Sequence, residues 1–526
     1  MNFLVLNFLL ISANAFNILV YSPSFAGSHT NFMARIADTL TDAGHNVTFL
    51  VPVVDEARRS QLGVKSTKDV VIVEQDEEMQ NHVQPIDDDM EQYWKTEVDS
   101  SNVDTAFSVF TSAMNHSCHN FLRNRKIFEK MKSRNFDVGI FEPLSVCGLG
   151  FMHAIGIRKI IIASSCVFYD STTDVLGEPL DLSYVPGQMG RFEDPGRMNL
   201  LEKVENHKMS MNLKNVNIEV FERETQIYKK HLGDSIPDWK QLMISSSLHF
   251  TNSIPYVDFP RTVSPKTIPI GGISVDILKI KSQKLSQDWD EVLNRREKNM
   301  LISFGSLIRS QDMPKEWRTG LLTAIKSLPN VTFIWKYEND DITWANGVSN
   351  IHFTKWVPQT SLLNDPRLTA FMTHGGLGSS NELSHLGKPA LMVPVFADQH
   401  RNANMLARHG GVIVIQKKDL GDEKKIKSAM KSILFNENFK KNSEKLADLL
   451  RNQPLKPKEQ VLRYVEFVAN YGPFPGMNIA EMGFVERNLL DIHFIIMLPY
   501  VISIVLVMLG LKIVVSLVKI KVVKVE

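Results

Sequence analysis

Short apolar runs recur along this chain with helical patterns between them, and that alternation constrains the fold more than any other feature. Residues 17–21 (NILVY) form the first run. A loop-like stretch follows, Ser22 to Ser28, and then Phe32, Met33, Ile36, Ala37 and Leu40 recur at helical spacing until Gly44 stops the helix. A second run, Val47 to Val51, is closed by Pro52 and completes a strand–helix–strand unit. Similar runs return at 136–141, 158–164, 301–306, 331–337, 368–374 and 389–395. Strands that alternate with helices pair in parallel, because each crossover returns the chain to the same end of the sheet. The fold class predicted is α/β. Residues 60–130 and 170–235 are more charged and less regular, and read as helices and loops inserted in the first half. The proline-punctuated segment 258–272, closing on Gly271-Gly272, reads as a linker between two halves. At 526 residues and 44% hydrophobic, the chain exceeds one core and fits two domains with appendages.

Lys and Arg number 59 against 58 Asp and Glu, so there is no basic excess to neutralise a run of phosphates, and nucleic acid is excluded as a partner. Cys118, Cys147 and Cys166 allow at most one disulfide and match no closely spaced zinc pattern. Both ends carry targeting information. Phe3 to Ile11 is apolar and runs into Ala13-Asn14-Ala15, a small-x-small site, so residues 1–15 are expected to be a signal peptide. Phe494 to Leu511 carries no charge over 18 residues and is predicted to cross a membrane, with Pro499 near its start. Lys512, Lys519, Lys521 and Lys524 follow, placing the tail in the cytosol and the bulk of the chain in the lumen, type I. The sequons at Asn46, Asn115 and Asn330 agree with that placement.

The stretch 356–382 concentrates the chemistry. A strand over 368–373 would deliver His374 to its carboxyl end, with Gly375, Gly376 and Gly378 forming the turn and Ser379 to Leu386 continuing as a helix. In a parallel sheet that end is where ligands bind. Glycines let backbone N–H groups approach an anion, and the helix N-terminus adds partial positive charge, so a phosphate is the expected occupant. His374 and Ser379 can each donate a hydrogen bond to it, Glu382 can accept from sugar hydroxyls, and Trp356 and Gln359 offer a flat face and an amide for a base.

The run W-x-P-Q at 356–359, HGG at 374–376, Glu382, and PVFADQ ending in Asp398-Gln399 resembles the signature of the UDP-glycosyltransferases, specifically the membrane-bound UDP-glucuronosyltransferase type. Weaker similarity includes SFGSL at 303–307 and DFPR at 258–261. The resemblance implies a GT-B architecture, two Rossmann-like domains facing a cleft. Residues 16–272 would hold the acceptor and residues 273–475 the UDP-sugar, with a helix near 440–471 crossing back to the first domain. A juxtamembrane segment (476–493), the membrane helix (494–511) and a basic tail (512–526) would follow. It implies that Trp356 stacks on uracil with Gln359 beside it, that Ser306, His374 and Ser379 contact the diphosphate with Gly376, that Glu382 holds the ribose, and that Asp398 and Gln399 bind the donor sugar. Gly378 stands where many members have Asn.

Transfer needs a base in the other domain, and the family's catalytic histidine matches His29, at the loop-to-helix junction where the helix dipole is expected to keep the imidazole neutral. The carboxylate that orients it falls on Glu142, where many members carry Asp. Arg261 matches an arginine positioned for a glucuronate carboxylate, so UDP-glucuronic acid is the expected donor and UDP-glucose the alternative. The acceptor would be a small lipophilic molecule, and self-association is left open. No cofactor or metal is expected, since N–H donors and His374 would stabilise departing UDP. Asp87-Asp88-Asp89 contains a D-x-D as in metal-dependent glycosyltransferases of another fold, but reads as a solvated loop. GLGFMH at 148 and GLGSSN at 376 each lack the third glycine of a dinucleotide fingerprint, which argues against a nicotinamide oxidoreductase. A non-catalytic sugar-nucleotide-binding membrane protein is the third reading, and Glu142 keeps it open. Residence in the endoplasmic reticulum and a detoxifying role are expected from the family, although Val522 interrupts the dilysine retrieval pattern that ends at Lys524.

Overall fold

A computed structural model describes residues 15–192, 197–479 and 482–523. The proposed leader lies outside the described residues except for Ala15, and Lys524 lies outside them too. Among the described residues the body, up to Met477, holds two parallel sheets. The first is seven-stranded in the order β3-β2-β1-β4-β5-β6-β7. Its strands are β1 (Asn17–Tyr21), β2 (Asn46–Pro52), β3 (Asp69–Val73), β4 (Val138–Phe141), β5 (Ile160–Ser164), β6 (Leu248–Thr251) and β7 (Thr267–Pro269). The second is six-stranded, β10-β9-β8-β11-β12-β13. It is built from β8 (Lys298–Ser303), β9 (Val331–Lys336), β10 (Ile351–Thr354), β11 (Leu368–Thr373), β12 (Ala390–Met392) and β13 (Val412–Val414). Each order reverses between its first and fourth strands, β1 beside β4 and β8 beside β11. Loops leaving those neighbours diverge, which opens a crevice at the carboxyl ends of the strands.

The central strands are apolar because both faces are covered. β1 and β4 are buried almost throughout, and β11 is buried at all positions but Thr369. The helix Gly27–Asp42 lays Phe32, Met33, Ile36, Ala37 and Leu40 on the first sheet, and the chain turns off it through Gly44 at φ +92°. The helix Pro457–Tyr471 packs Val461, Val465 and Val468 into that same core, so the end of the body closes on its first strands. Residues 440–471 are two helices, Glu437–Arg451 and Pro457–Tyr471, rather than one.

Three expectations are corrected. The segment 258–272 is no free linker: β7 lies within it and pairs with β6, because Ile268 and Ile270 bury into the first sheet's core. The helix Met79–Lys95 runs through 87–89, where a loop was expected. The C-terminal apolar helix spans Leu490–Val523, longer at both ends than 494–511, with Pro499 inside it rather than at its start. Its apolar portion, Leu490–Ser516, is 27 residues with a mean hydropathy of 2.7. At about 1.5 Å per residue that is roughly 40 Å, enough to cross a hydrocarbon core of about 30 Å. Cys118 and Cys147 form a disulfide that ties the helix Val103–Leu122 to the start of the helix Cys147–Ala154, and Cys166 is free.

The two halves are joined by a buried ion pair. Arg401 Nη2 donates to Asp258 Oδ1 at 2.7 Å with side chains 1% and 3% exposed. The guanidinium also lies over Phe168 and Phe259 and donates from Nε to the Pro186 carbonyl. Removing one member strands a charge away from water, whereas removing both does not. Arg401→Met is therefore expected to cost about 3–5 kcal/mol, and adding Asp258→Leu should restore most of the loss. Thermal unfolding of the full chain in detergent reads both.

Candidate active site

His29 lies in the first turn of the helix that follows β1, and Glu142 directly follows β4, so the two meet across the first sheet's reversal point. His29 Nδ1–H donates to Glu142 Oε1 at 2.7 Å, with side chains 18% and 2% exposed. Ser165, directly after β5, places Oγ 2.7 Å from the same nitrogen. The Tyr169 hydroxyl donates to Glu142 Oε1 at 2.8 Å and lies 3.1 Å from Ser165 Oγ. Among the described residues nothing hydrogen-bonds His29 Nε2.

Burial pulls the His29 pKa down, but the charge and hydrogen bond of Glu142, with help from Asp398, outweigh burial and the nearby Arg58, leaving it raised. The expectation that the helix N-terminus holds this imidazole neutral is thus corrected: an adjacent carboxylate at hydrogen-bond distance exceeds a helix-end partial charge. For Glu142, burial acts upward and is overcome by His29 and the Ser165 and Tyr169 hydroxyls, leaving it lowered. Asp398 belongs to the second half, and its carboxylate lies within electrostatic reach of His29.

On the other side, β11 delivers His374 and the helix Leu377–Leu386 begins after Gly376. The His374 ring is walled in by glycines. A Cβ at Gly305, where φ is +91°, would come within 2.6 Å of Cε1, and one at Gly376 within 2.6 Å of Nε2. A Cβ at Gly378 would meet nothing within 4 Å, so the space above that helical turn is open. Burial, and secondarily Lys336, pushes the His374 pKa down to about 4, making it a neutral donor at pH 7.

Gln359 Nε2 donates to Ser379 Oγ at 3.0 Å and to Glu382 Oε2 at 2.6 Å, so these residues form one cluster. Burial pushes Glu382 up to about 7, against the Gln359 hydrogen bond. Trp356 is 74% exposed, its ring uncovered despite its size, and Ser306 is exposed in the loop after β8. Asp398 precedes the helix Gln399–Ala407, accepts from Asn402 Nδ2 and has its pKa raised, chiefly by burial. Gln399 is buried, and its Oε1 accepts the N–H groups of Val395 and Phe396.

Arg261 does not join the site. Its side chain is buried over Phe168, with Nη1 3.5 Å from Glu178, because the 258–272 segment folds into the first half. Asn46 and Asn330 are exposed, whereas Asn115 sits within the helix Val103–Leu122 with a buried Oδ1. A separate concavity of about 420 Å³ lies at the amino ends of β1, β2 and β3, lined by Asn46, Lys68 and Arg134 among others, and holds none of the clustered residues. Ser165, Tyr169 and Lys336 were not singled out from sequence. Lys336, at the end of β9, donates to the Gly305 carbonyl, and only its strand-end position hints at the site.

Two parallel sheets, each with its own reversal point, define the GT-B fold. The kitacinnamycin glycotransferase superposes with a TM-score of 0.59 at 15% identity, covering 87% of this chain and 99% of that one. The glycosyltransferase VinC, solved in complex with DTDP, gives 0.55 at 16%, covering 87% and 100%. The chain belongs to the UDP-glucoronosyl and UDP-glucosyl transferase family, which it matches over residues 17–507. It is similar to the putative UDP-glucuronosyltransferase ugt-47 of Caenorhabditis elegans, 27% identical over 87% of this chain and 85% of that protein. It is also similar to UDP-glucuronosyltransferase 1A8 of Rattus norvegicus, 24% identical over 89% and 86%. The protein is accordingly a UDP-glycosyltransferase, taking a nucleotide sugar and an acceptor.

Gly376 has a φ that alanine tolerates, so Gly376→Ala isolates the clash with His374. Overpacking of this kind costs about 1–3 kcal/mol. Thermal unfolding should show that loss of stability, and UDP binding, measured by calorimetry, should weaken because the His374 ring must move.

Proposed function

We propose that this enzyme moves glucuronic acid from UDP-glucuronic acid to a hydroxyl of a small lipophilic acceptor, with inversion at the anomeric carbon. The observation that carries the reading is the His29–Glu142 pair at the reversal point of one sheet, within the field of Asp398 from the other half. The acceptor O–H gives its proton to His29 Nε2 as its oxygen bonds to the anomeric carbon. The bond from that carbon to the β-phosphate oxygen breaks on the opposite face, and Glu142 stabilises the imidazolium. The backbone N–H groups around Gly376 and Gly378, with His374, Ser306 and Ser379, take up the charge arriving on UDP, a role these donors fill without a cation. Trp356 stacks on uracil with Gln359 beside it, Glu382 holds the ribose, and Asp398 and Gln399 hold sugar hydroxyls. No cofactor is assigned, and the co-substrate is the sugar nucleotide.

The acceptor class is supported beside the base. The Phe25 ring lies 4.7 Å from the His29 ring and Phe110 lies edge-on to Phe25 at 5.2 Å, both against an apolar cluster of Val54, Met79, Ala113 and Met114. A flat apolar alcohol or phenol would bury there with its hydroxyl at His29. The glucuronosyl assignment rests on the names of the relatives, and UDP-glucose is the alternative. The apolar helix and the disulfide support a type I protein of the endoplasmic reticulum with its catalytic halves in the lumen, where disulfides persist. Glycans are assigned to Asn46 and Asn330, the exposed sequons.

His29→Ala should lower turnover by about 10²- to 10⁴-fold while leaving UDP affinity unchanged; equal turnover would remove His29 as the base, and UDP binding without any transfer by the unmutated chain would favour a non-catalytic binding protein. Because the His29 pKa is raised, the base is protonated below it, so kcat/KM should fall as pH drops through a value above the ordinary 6.5. Glu142→Gln removes the carboxylate that raises it and should move that limb to lower pH. Transfer from radiolabelled UDP-glucuronic acid and UDP-glucose to a simple phenol, in membranes carrying the protein, decides the donor; faster glucosyl transfer would overturn the glucuronosyl assignment.

A further inference from the structure

A glutamate side chain has one more rotatable bond than an aspartate, so a catalytic carboxylate on this longer arm needs extra restraint to stay on one histidine nitrogen. Glu142 has that restraint. Its Oε1 accepts from His29 Nδ1–H at 2.7 Å and from the Tyr169 hydroxyl at 2.8 Å, and Tyr169 is fully buried. Ser165 Oγ closes the figure, 2.7 Å from His29 Nδ1 and 3.1 Å from the Tyr169 oxygen. Ser165 and Tyr169 lie four residues apart on the segment after β5, so one backbone excursion supplies both.

We propose that Tyr169, assisted by Ser165, is a positioning residue: its hydroxyl pins the Glu142 carboxylate against His29 and limits the negative charge the imidazole feels. This deepens the transfer mechanism proposed above and rests on it. The tyrosine acts through Glu142 and touches no reacting atom. Its donated hydrogen bond spreads the carboxylate charge, so the imidazole gives up its proton at lower pH than Glu142 alone would allow. Among the described residues, other charged or titratable groups that act on this cluster include Asp398 and Arg58 at His29, and Cys166 at Tyr169.

Tyr169→Phe keeps the ring and removes only the hydroxyl. It should lower kcat roughly tenfold, leave KM for the UDP-sugar within about twofold, and move the acid limb of kcat/KM to higher pH. A rate loss at every pH with an unmoved limb would mean that Tyr169 serves packing alone, and an unchanged rate and limb would remove it from the mechanism; either overturns the proposal. A double-mutant cycle with Glu142→Asp adds a second test. If Tyr169 works through the glutamate, the two effects are non-additive, and additive effects refute the coupling. The pH dependence of His29 carbethoxylation by diethyl pyrocarbonate, followed by peptide mass spectrometry on the full membrane-bound chain, reports the imidazole without any transfer assay. Should the wild-type chain transfer no sugar while this profile still shifts in Tyr169→Phe, the transfer reading fails and the positioning role stands.

Discussion

A parallel sheet can reverse its strand order only by sending two neighbouring loops to opposite faces, and the gap this opens at the carboxyl ends is the constraint on which this molecule depends. It occurs twice, between β1 and β4 and between β8 and β11. Four of the candidate site residues issue from those ends: His29 after β1, Glu142 after β4, Ser306 after β8 and His374 after β11. The β-strands supply rigid, buried anchors, so that loops of a few residues can place side chains to within hydrogen-bond tolerance.

The two faces of the cleft differ electrostatically. On the first, His29 and Glu142 compensate each other, and their pKa values move apart so that both charged forms are favoured. On the second, His374 and Glu382 are desolvated without an ionic partner and drift toward their neutral forms. Neutral His374 and the open amide groups at Gly376 and Gly378 put uncharged donors at this end of the second sheet, which suits a ligand that brings a diphosphate. An imidazole beside a fixed counter-ion can take up a proton at low cost, and the first face has that arrangement.

The long apolar strands and the glycine-bounded turn after β11 were legible in sequence because periodicity and chain direction are local properties. β3, β6, β10 and β13 were not. β6 carries a buried His249 whose pKa burial drives down to about 3, with Arg261 nearby, and in sequence that residue looks polar. β10 is a half-buried edge and β13 has three residues. β7 was hidden by prolines, which an edge strand tolerates. Candidate residues such as His374 and Glu382 could be named from a motif, whereas Ser165 and Tyr169 lie in an SSCVFY segment without one and meet His29 only through strand order. Arg261 shows the opposite failure: position in the chain suggested a ligand contact, and burial over Phe168 gives it a structural partner in Glu178.

The joint between the halves bears on how the two faces stay in register. Trp94 Nε1–H donates to the Arg309 carbonyl, Lys417 to the carbonyls of Tyr93 and Thr96, Asn381 to Asn252, and Arg401 to Asp258, each bond crossing between the halves. The Arg401 end of this set starts three residues from Asp398, whose field reaches His29. Hinge motion about the joint would change the Asp398–His29 separation while leaving His29–Glu142 intact, since that pair lies wholly in the first half. The His29–Glu142 pair therefore keeps its geometry in either arrangement of the halves, and only its distance to the face that carries Asp398 depends on closure.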